Sequence, residues 1–207
     1  MAPTDSSFGK PTVLRCARCG KFVDWRDARL QVVCECRSHL ELPPVLVREA
    51  TAGDREAVTA LFRRNFGRTK IVAFGAVMPL DDLPALVAEM GDELAGALGY
   101  QLRPDAVHIV ALATEANWQR SGVGGHLLTA AEAMAQRLHL AKAVFCATND
   151  NLPALYFYQR CGYVISEVVV GSLIPIVPPG APSGFAGIQP RDEIRLEKTL
   201  APVPAQE

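Results

Sequence analysis

Apolar and polar positions after residue 44 alternate with two different periods, which predicts strands and helices in turn. Residues 45–49 have the short alternation of a strand. Asp54 follows as a helix N-cap, and apolar residues recur behind it at helical spacing until Gly67 ends the helix. Residues 68–83 are apolar in part, but glycine and prolines interrupt them, so they receive no regular assignment.

The same patterns predict the rest of the domain. The expected strands are 85–90 and 93–102 (a hairpin), 107–114, 142–148, 163–170 and 192–200, and the expected helices are 122–138 and 151–161. Strict alternation in strand 107–114 would place His108 on the same face as Leu112. Residues 171–191, rich in proline and glycine, are expected to form a long functional or mobile loop.

A boundary is expected at Pro43-Pro44, where a cysteine-rich segment without long periodicity gives way to the alternating elements. The predicted organisation is a small module at 1–42 with a disordered N-terminal tail, a main domain at 45–200, and a flexible tail at 201–207. The fold class is therefore α/β (α+β), and no internal repeat is visible.

Composition and charge narrow the function classes. The 207 residues are 49% hydrophobic and 21% charged, as in globular proteins, and the net charge of −1 offers no basic field for nucleic acid. No window approaches 18 uninterrupted apolar residues, so no membrane association is expected. The polar N-terminus lacks an apolar signal core, which favours a cytoplasmic location with reduced thiols.

Four of the six cysteines lie close together near the N-terminus. The ligand candidates are Cys16, Cys19, Cys34 and Cys36, in the pattern C-x2-C-x14-C-x-C, and His39 follows. Four thiolates can complete a tetrahedral Zn²⁺ shell, and so small a module needs such a staple to fold. The segment resembles a zinc ribbon with a structural Zn²⁺. Its C-x-C pair leaves open whether His39 replaces Cys34 or Cys36, and reduced structural cysteines are the alternative.

A glycine-rich segment, residues 112–126, joins the end of a strand to the start of a helix. Free N–H groups at a helix start form an anion site suited to a pyrophosphate. A dinucleotide fingerprint needs a third glycine where Leu127 stands, and a P-loop needs Lys-Ser/Thr after Gly125, where His126 stands. A glycine turn without a ligand is the remaining alternative on the glycines alone.

Two motifs decide between these readings. Gln119-Arg-Ser-Gly-Val-Gly124 resembles the Q/R-x-x-G-x-G/A signature of the GNAT family of N-acetyltransferases, at the family's spacing from Leu112-Ala-Thr114. Residues 151–163, NLPALYFYQRCGY, resemble its second signature, N-x-x-A-x-x-x-Y-x-x-x-G-F, with Tyr163 for the final Phe. The resemblance covers residues 45–200.

The resemblance implies a mixed, mostly antiparallel sheet flanked by helices, and acetyl transfer from acetyl-CoA to a primary amine by direct attack in a ternary complex. It implies that the strand ending at Thr114 splays from its neighbour and binds the pantetheine arm. The residues expected at acetyl-CoA are Leu112, Ala113, Thr114, Gln119, Arg120, Ser121, Gly122, Val123, Gly124, Gly125 and Asn151. A solvated role for Arg120 and a helix-capping role for Asn151 remain alternatives.

Two residues are candidates for proton transfer. The thiol of CoA ionises near pKa ~8.5, so the departing sulfur needs little protonation and positioning matters most. Tyr158 stands at the family's general-acid position, against the alternative of a half-buried aromatic side chain. His108 stands where the family often carries an acidic base, against the alternative of a structural histidine.

The sequence leaves several points open. The acceptor is a small molecule or a protein amine, the oligomeric state is unread, with a homodimer one candidate, and the partner of the zinc module is unknown. The rival function is a non-catalytic acyl-CoA sensor whose zinc ribbon binds a partner.

Overall fold

The structure, a computed structural model, describes residues 45–91, 93–177 and 184–201, together with four short strands nearer the N-terminus. Those strands are β1 (Val13–Arg15), β2 (Phe22–Asp24), β3 (Val32–Val33) and β4 (His39–Leu40). β1 pairs antiparallel with β2, and β3 with β4, so they form two hairpins. Most of the predicted 1–42 module and tail, and residues 202–207 of the predicted C-terminal tail, lie outside the described residues.

The main domain is built on one seven-stranded sheet. Its elements in chain order are β5 (Val45–Glu49), α1 (Arg55–Phe66), β6 (Lys70–Ala73), β7 (Ala76–Pro79), β8 (Ala85–Met90), β9 (Glu93–Leu102), β10 (Ala106–Thr114), α2 (Val123–Arg137), β11 (Lys142–Thr148), α3 (Leu152–Arg160), β12 (Val164–Val169) and β13 (Glu193–Thr199). The strand order is β12-β13-β11-β10-β9-β8-β5, and every neighbouring pair is antiparallel except β10 with β11. The predicted mixed, mostly antiparallel sheet flanked by helices is confirmed.

Helices cover both faces of this sheet. α2 and α3 bury Leu127, Leu155 and Tyr158 against one face. α1 buries Leu61 and Phe62 against the other, and both side chains are fully enclosed. Each such side chain contributes about 1.5–3 kcal/mol relative to full exposure, so all three helices are held against the sheet by their apolar stripes.

The segment without a regular assignment forms a third small antiparallel hairpin, β6–β7. Its turn is Phe74-Gly75, and both residues have a positive φ, 55° and 72°. Two consecutive left-handed residues make the tight turn that matches the twist of a hairpin. The hairpin lies on the α1 face, where Ala73 and Met78 pack with Val110 of β10 and Cys146 of β11.

A bulge in β10 changes which residues share a face. The pairing with β9 shifts between Ile109 and Ala111, so Val110 is an additional residue in the ladder. Ile109 packs in the core under α2, whereas Ala111 packs against α1. The expectation that His108 and Leu112 share a face was therefore wrong. His108 faces the β6–β7 hairpin and Leu112 faces α2.

No helix in the described parts of the chain is long and apolar enough to cross a membrane.

Candidate active site

The parallel strands β10 and β11 separate halfway along their length. They pair from Ala106 with Lys142 to Ile109 with Phe145, and the structure describes both strands beyond that point without further pairing between them. β10 stays paired with β9 as far as Thr114, and β11 stays paired with β13 as far as Thr148. The strand ends thus form a fork with unpaired backbone edges facing each other. Leu112, Ala113 and Thr114 lie on one of those edges, where an extended ligand could pair with them.

The glycine loop, residues 119–125, lies at the open end of this fork. Gly122 has φ +91°, a conformation that favours glycine, and caps the start of α2. The N–H of His126 donates to the Gly122 carbonyl over 3.1 Å, which is the first hydrogen bond of the helix. The N–H groups of residues 123–125 come before it and therefore have no acceptor within the helix. A cradle of this kind, at the positive end of a fifteen-residue helix, suits a diphosphate.

The loop side chains divide into inward and outward groups. Val123 is buried, and a Cβ built on Gly124 would lie 3.4 Å from Phe157 and 3.5 Å from Leu112. A Cβ on Gly125 would meet nothing within 4 Å. Gln119 and Arg120 are exposed, and the hydroxyl of Ser121 donates to the Trp118 carbonyl. Gly125 therefore leaves open space, Gly124 lets the start of α2 lie close to Phe157 and Leu112, and Ser121 stabilises the turn.

A cleft of about 350 Å³ continues from the loop along the groove between α2 and the end of α3. The lining includes Gly125, His126, Thr129, Cys161 and Lys198. The Nζ of Lys198 lies 2.7 Å from a carboxylate oxygen of Glu132 at the wall. This groove gives a ligand held at the loop room to extend away from the fork.

Tyr158 lies on the face of the sheet covered by α2 and α3, at the vertex of the fork. The vertex is the point just after Ile109 and Phe145 where β10 and β11 separate. Its ring stacks on Phe145, the last β11 residue paired with β10, with centroids 3.7 Å apart. The side chain is 2% exposed, and its hydroxyl has no hydrogen-bond partner among the described residues. Burial raises the pKa of the phenol well above 10, so it stays protonated at neutral pH and can donate. Tyr158 is more deeply enclosed than the half-buried alternative assumed.

His108 reaches the same vertex from the opposite face. Its ring stacks on Phe74 with centroids 4.1 Å apart and 26° between the planes. Its Nδ1 is buried, and no described residue bonds to it. Burial, and secondarily the nearby Arg103, lower the pKa of the imidazole below 6.5. A neutral ring at pH 7 can accept a proton, so a donor and an acceptor flank the vertex from two sides.

Asparagines at the end of β11 have separate roles. Asn151 accepts the N–H of Ala154 over 3.3 Å as the cap of α3, which is the capping alternative. Asn149 was not singled out by sequence reasoning. Its Oδ1 accepts the N–H groups of Arg191 and Asp192 over 2.8 and 2.9 Å, and its Nδ2 donates to the Gln189 carbonyl. Asn149 thereby ties the segment before β13 to the fork. Its only signal in the sequence is its place in the run Asn149-Asp150-Asn151 before a predicted helix, which is typical of a helix cap.

The predicted zinc ligands lie outside the described residues. In the sequence, Cys16 and Cys19 fall between β1 and β2, and Cys34 and Cys36 fall between β3 and β4. Within the described part of the chain, no group of three or more His, Cys, Asp or Glu residues could hold a metal. Cys146 is buried, which raises the pKa of its thiol to about 12, and Cys161 is partly buried at the end of α3.

Comparison with known proteins agrees with this geometry. YdhI of Bacillus subtilis (strain 168), an uncharacterized protein, is 28% identical over 154 residues, which are 70% of this chain and 92% of YdhI. A GNAT family acetyltransferase from Elizabethkingia anophelis with acetyl-CoA bound superposes with a TM-score of 0.59 at 20% identity, over 75% of this chain and 98% of that one. A Bacillus subtilis acetyltransferase in complex with CoA gives a TM-score of 0.57 at 23% identity, over 78% and 100%.

The solved structures are similar in fold, and a sequence profile extends the similarity to the family. The profile of the Acetyltransferase (GNAT) family matches residues 53–163, more than half of the chain. The match includes the fork, the glycine loop, and both His108 and Tyr158. The chain belongs to the GNAT family of acetyltransferases.

Proposed function

We propose that this protein transfers the acetyl group of acetyl-CoA to a primary amine by direct attack in a ternary complex. The observation that carries the proposal is the fork, with an anion cradle at its open end and a proton donor and acceptor on either face of its vertex. The acetyl-CoA-bound neighbour of the same fold supports the choice of co-substrate.

The residues present fit acetyl-CoA as co-substrate. The unpaired edge at Leu112, Ala113 and Thr114 offers backbone groups to the amides of the pantetheine arm, as an added strand would. The loop at residues 119–125 offers the N–H groups at the start of α2 to the diphosphate, and Arg120 adds exposed positive charge. The buried hydroxyl of Tyr158, otherwise unpartnered, supports placing the thioester end at the vertex.

The two flanking side chains handle the protons. As the amine nitrogen forms its bond to the acetyl carbon, its proton passes to the imidazole of His108. The carbon–sulfur bond then breaks as the carbonyl re-forms, and the sulfur takes a proton from the Tyr158 hydroxyl. Tyr158 then regains a proton from water and His108 gives up its proton to water, so both side chains return to their starting forms. Since the thiol is a good leaving group, the larger contribution comes from holding the amine and thioester together, and the two proton transfers add to it.

We also propose that the N-terminal module is a zinc ribbon with a structural Zn²⁺ on Cys16, Cys19, Cys34 and Cys36. The support is the placement of each cysteine pair in the connection of its own two-stranded hairpin. Two hairpins that each present a thiolate pair can share one tetrahedral ion. The position of His39 at the start of β4 keeps it as the alternative fourth ligand.

Turnover with a panel of amines tests the enzymatic proposal. Purified protein and acetyl-CoA are mixed with small primary amines, amino acids and peptides, and thiol release is followed while calorimetry measures CoA affinity. We expect CoA binding and acetylation of at least one amine class. CoA binding without turnover on any amine would favour the acyl-CoA sensor, and absence of CoA binding would refute both.

A further inference from the structure

The tip of the β6–β7 hairpin crosses the sheet at the vertex of the fork. The Phe74 N–H donates to Cys146 Sγ of β11 over 3.3 Å, and the Gly75 N–H donates to Glu193 Oε2 of β13 over 3.1 Å. Glu193 is 2% exposed and is held in turn by Arg195 Nε at 2.8 Å. The tip is thus fastened to β11, the second strand of the fork, and to its neighbour β13, while the Phe74 ring lies on His108 of β10.

Two features of this arrangement disfavour the protonated form of the imidazole. The stacked ring of Phe74 covers one face of it, and the buried Nδ1 has no bonding partner within the described structure. An imidazolium needs acceptors for both of its N–H groups, so the covered ring is held in the neutral form. Because the tip of the hairpin is anchored to β11 and β13, those two strands fix the position of the Phe74 ring over His108.

We propose that Phe74 is a positioning residue of the acetyl transfer, which holds His108 neutral and in place as the acceptor-side base. The proposal rests on the proposed role of His108. Phe74 itself touches neither reacting group; it acts through the imidazole that it covers. Its left-handed backbone, φ 55°, is unfavourable for an aromatic residue and is sustained by the two anchoring hydrogen bonds.

The charges around His108 do not replace this role. Arg103 and Asp105 in the turn before β10 act in opposite directions, and Lys142 of β11 and Arg195 of β13 both favour the neutral ring. Cys146 and Glu193 face the hairpin tip, and Glu193 is already paired with Arg195. The tip itself, residues 73–76, carries no charged side chain. Burial is the largest influence on the pKa of His108, and the Phe74 ring that covers the imidazole supplies part of that burial.

The test compares Phe74→Leu, Phe74→Tyr and Val77→Ala. Leucine keeps apolar bulk but removes the stacked ring, tyrosine keeps the ring, and Val77, 57% exposed on the same hairpin, is the matched control. Histidine NMR titration measures the His108 midpoint directly, with assignment from His108→Asn, and the pH profile of kcat/KM is recorded for each variant.

We expect Phe74→Leu to raise the His108 midpoint toward 6.5 and to move the acidic limb of kcat/KM upward by the same amount. Phe74→Tyr and Val77→Ala should leave both unchanged. An unchanged midpoint in folded Phe74→Leu would overturn the proposal even if His108→Asn removes the acidic limb. Retention of that limb in His108→Asn would instead overturn the role of His108 itself. If Phe74→Leu does not fold, Phe74→Ala or Phe74→Met serves as the ring-free variant.

Discussion

Tyr158 combines deep burial with a hydroxyl that has no partner among the described residues. Buried polar groups are nearly always bonded, so this unpartnered hydroxyl fits the proposed role of Tyr158 as a donor to the bound thioester. Tyr156, two residues earlier, is 65% exposed on the same helix and provides a natural comparison.

Replacing Tyr158 by Phe should lower turnover by about a hundredfold, near the lower end of what a positioned proton donor supplies, with CoA affinity largely retained. Stability should hold or rise slightly, since an unpartnered buried hydroxyl is removed. Steady-state kinetics, calorimetry and thermal unfolding check these outcomes, with Tyr156→Phe as control. An unfolded Tyr158→Phe protein would mean that the residue serves packing.

Gly124 is the second residue whose exchange should be informative. A valine there would push methyl groups against Phe157 and Leu112, because a Cβ alone would already lie 3.4–3.5 Å from them. The start of α2, which carries the cradle, would have to shift to make room. We expect loss of measurable CoA binding by calorimetry, with circular dichroism confirming a folded chain. Gly53→Ala, in the turn before α1 and away from the fork, should bind CoA as the original does. Unchanged CoA affinity in Gly124→Val would place the diphosphate elsewhere.

At the scale of the elements, β10 carries a pH-dependent contribution to stability through His108. The pKa of His108 is below 6.5 in the folded protein and returns to about 6.5 on unfolding. In the pH range between its folded and unfolded pKa, the unfolded chain therefore binds more protons than the folded one. The free energy of unfolding should therefore be highest above pH 6.5 and decrease as the pH falls through that window. Urea unfolding of the wild type against His108→Asn checks this. If the free energies of unfolding of the wild type and His108→Asn differ by the same amount at every pH from 7 to 5, the prediction is contradicted. The control variant is His126→Gln, which changes an exposed histidine.

The segment before β13 depends on one side chain at the end of β11. Replacing Asn149 by Ala leaves two backbone N–H groups without their acceptor, at a cost of about 1–3 kcal/mol. Asn151→Ala removes a single cap bond and should cost about 1 kcal/mol or less. Urea unfolding of both variants measures the difference. An equal or smaller loss for Asn149→Ala would show that the segment is held by other contacts.

At the scale of the whole molecule, the proposed Zn²⁺ and the acetyl-CoA site belong to different parts of the chain. We expect one equivalent of zinc per chain by elemental analysis of untagged protein. Four protein ligands would leave no open position for a reacting water, so we expect the ion to have a structural role. Chelation should unfold the N-terminal module while residues from 45 onward keep their fold and CoA affinity. Zinc well below one equivalent would leave the cysteines without a role, and loss of CoA binding on chelation would place the module within the active domain.

Local sequence patterns determined much of this protein. The order of the elements outside residues 68–83, the helix start at Gly122, the helix cap at Asn151 and the family motifs are all readable within short windows. A backbone turn or a cap depends on neighbouring residues. The fork could be expected only through the family resemblance, since no local pattern records where two strands stop pairing.

Only the tertiary structure decided which groups meet. The bulge at Val110 turned His108 away from Leu112, and the hairpin at Phe74-Gly75 formed where glycine and prolines concealed any period. The Phe74 N–H meets Cys146 across 72 positions of the chain, and Asn149 meets Asp192 across 43. Such contacts form because separate apolar faces must be buried against the same sheet, and that requirement selects partners that no short stretch of sequence contains.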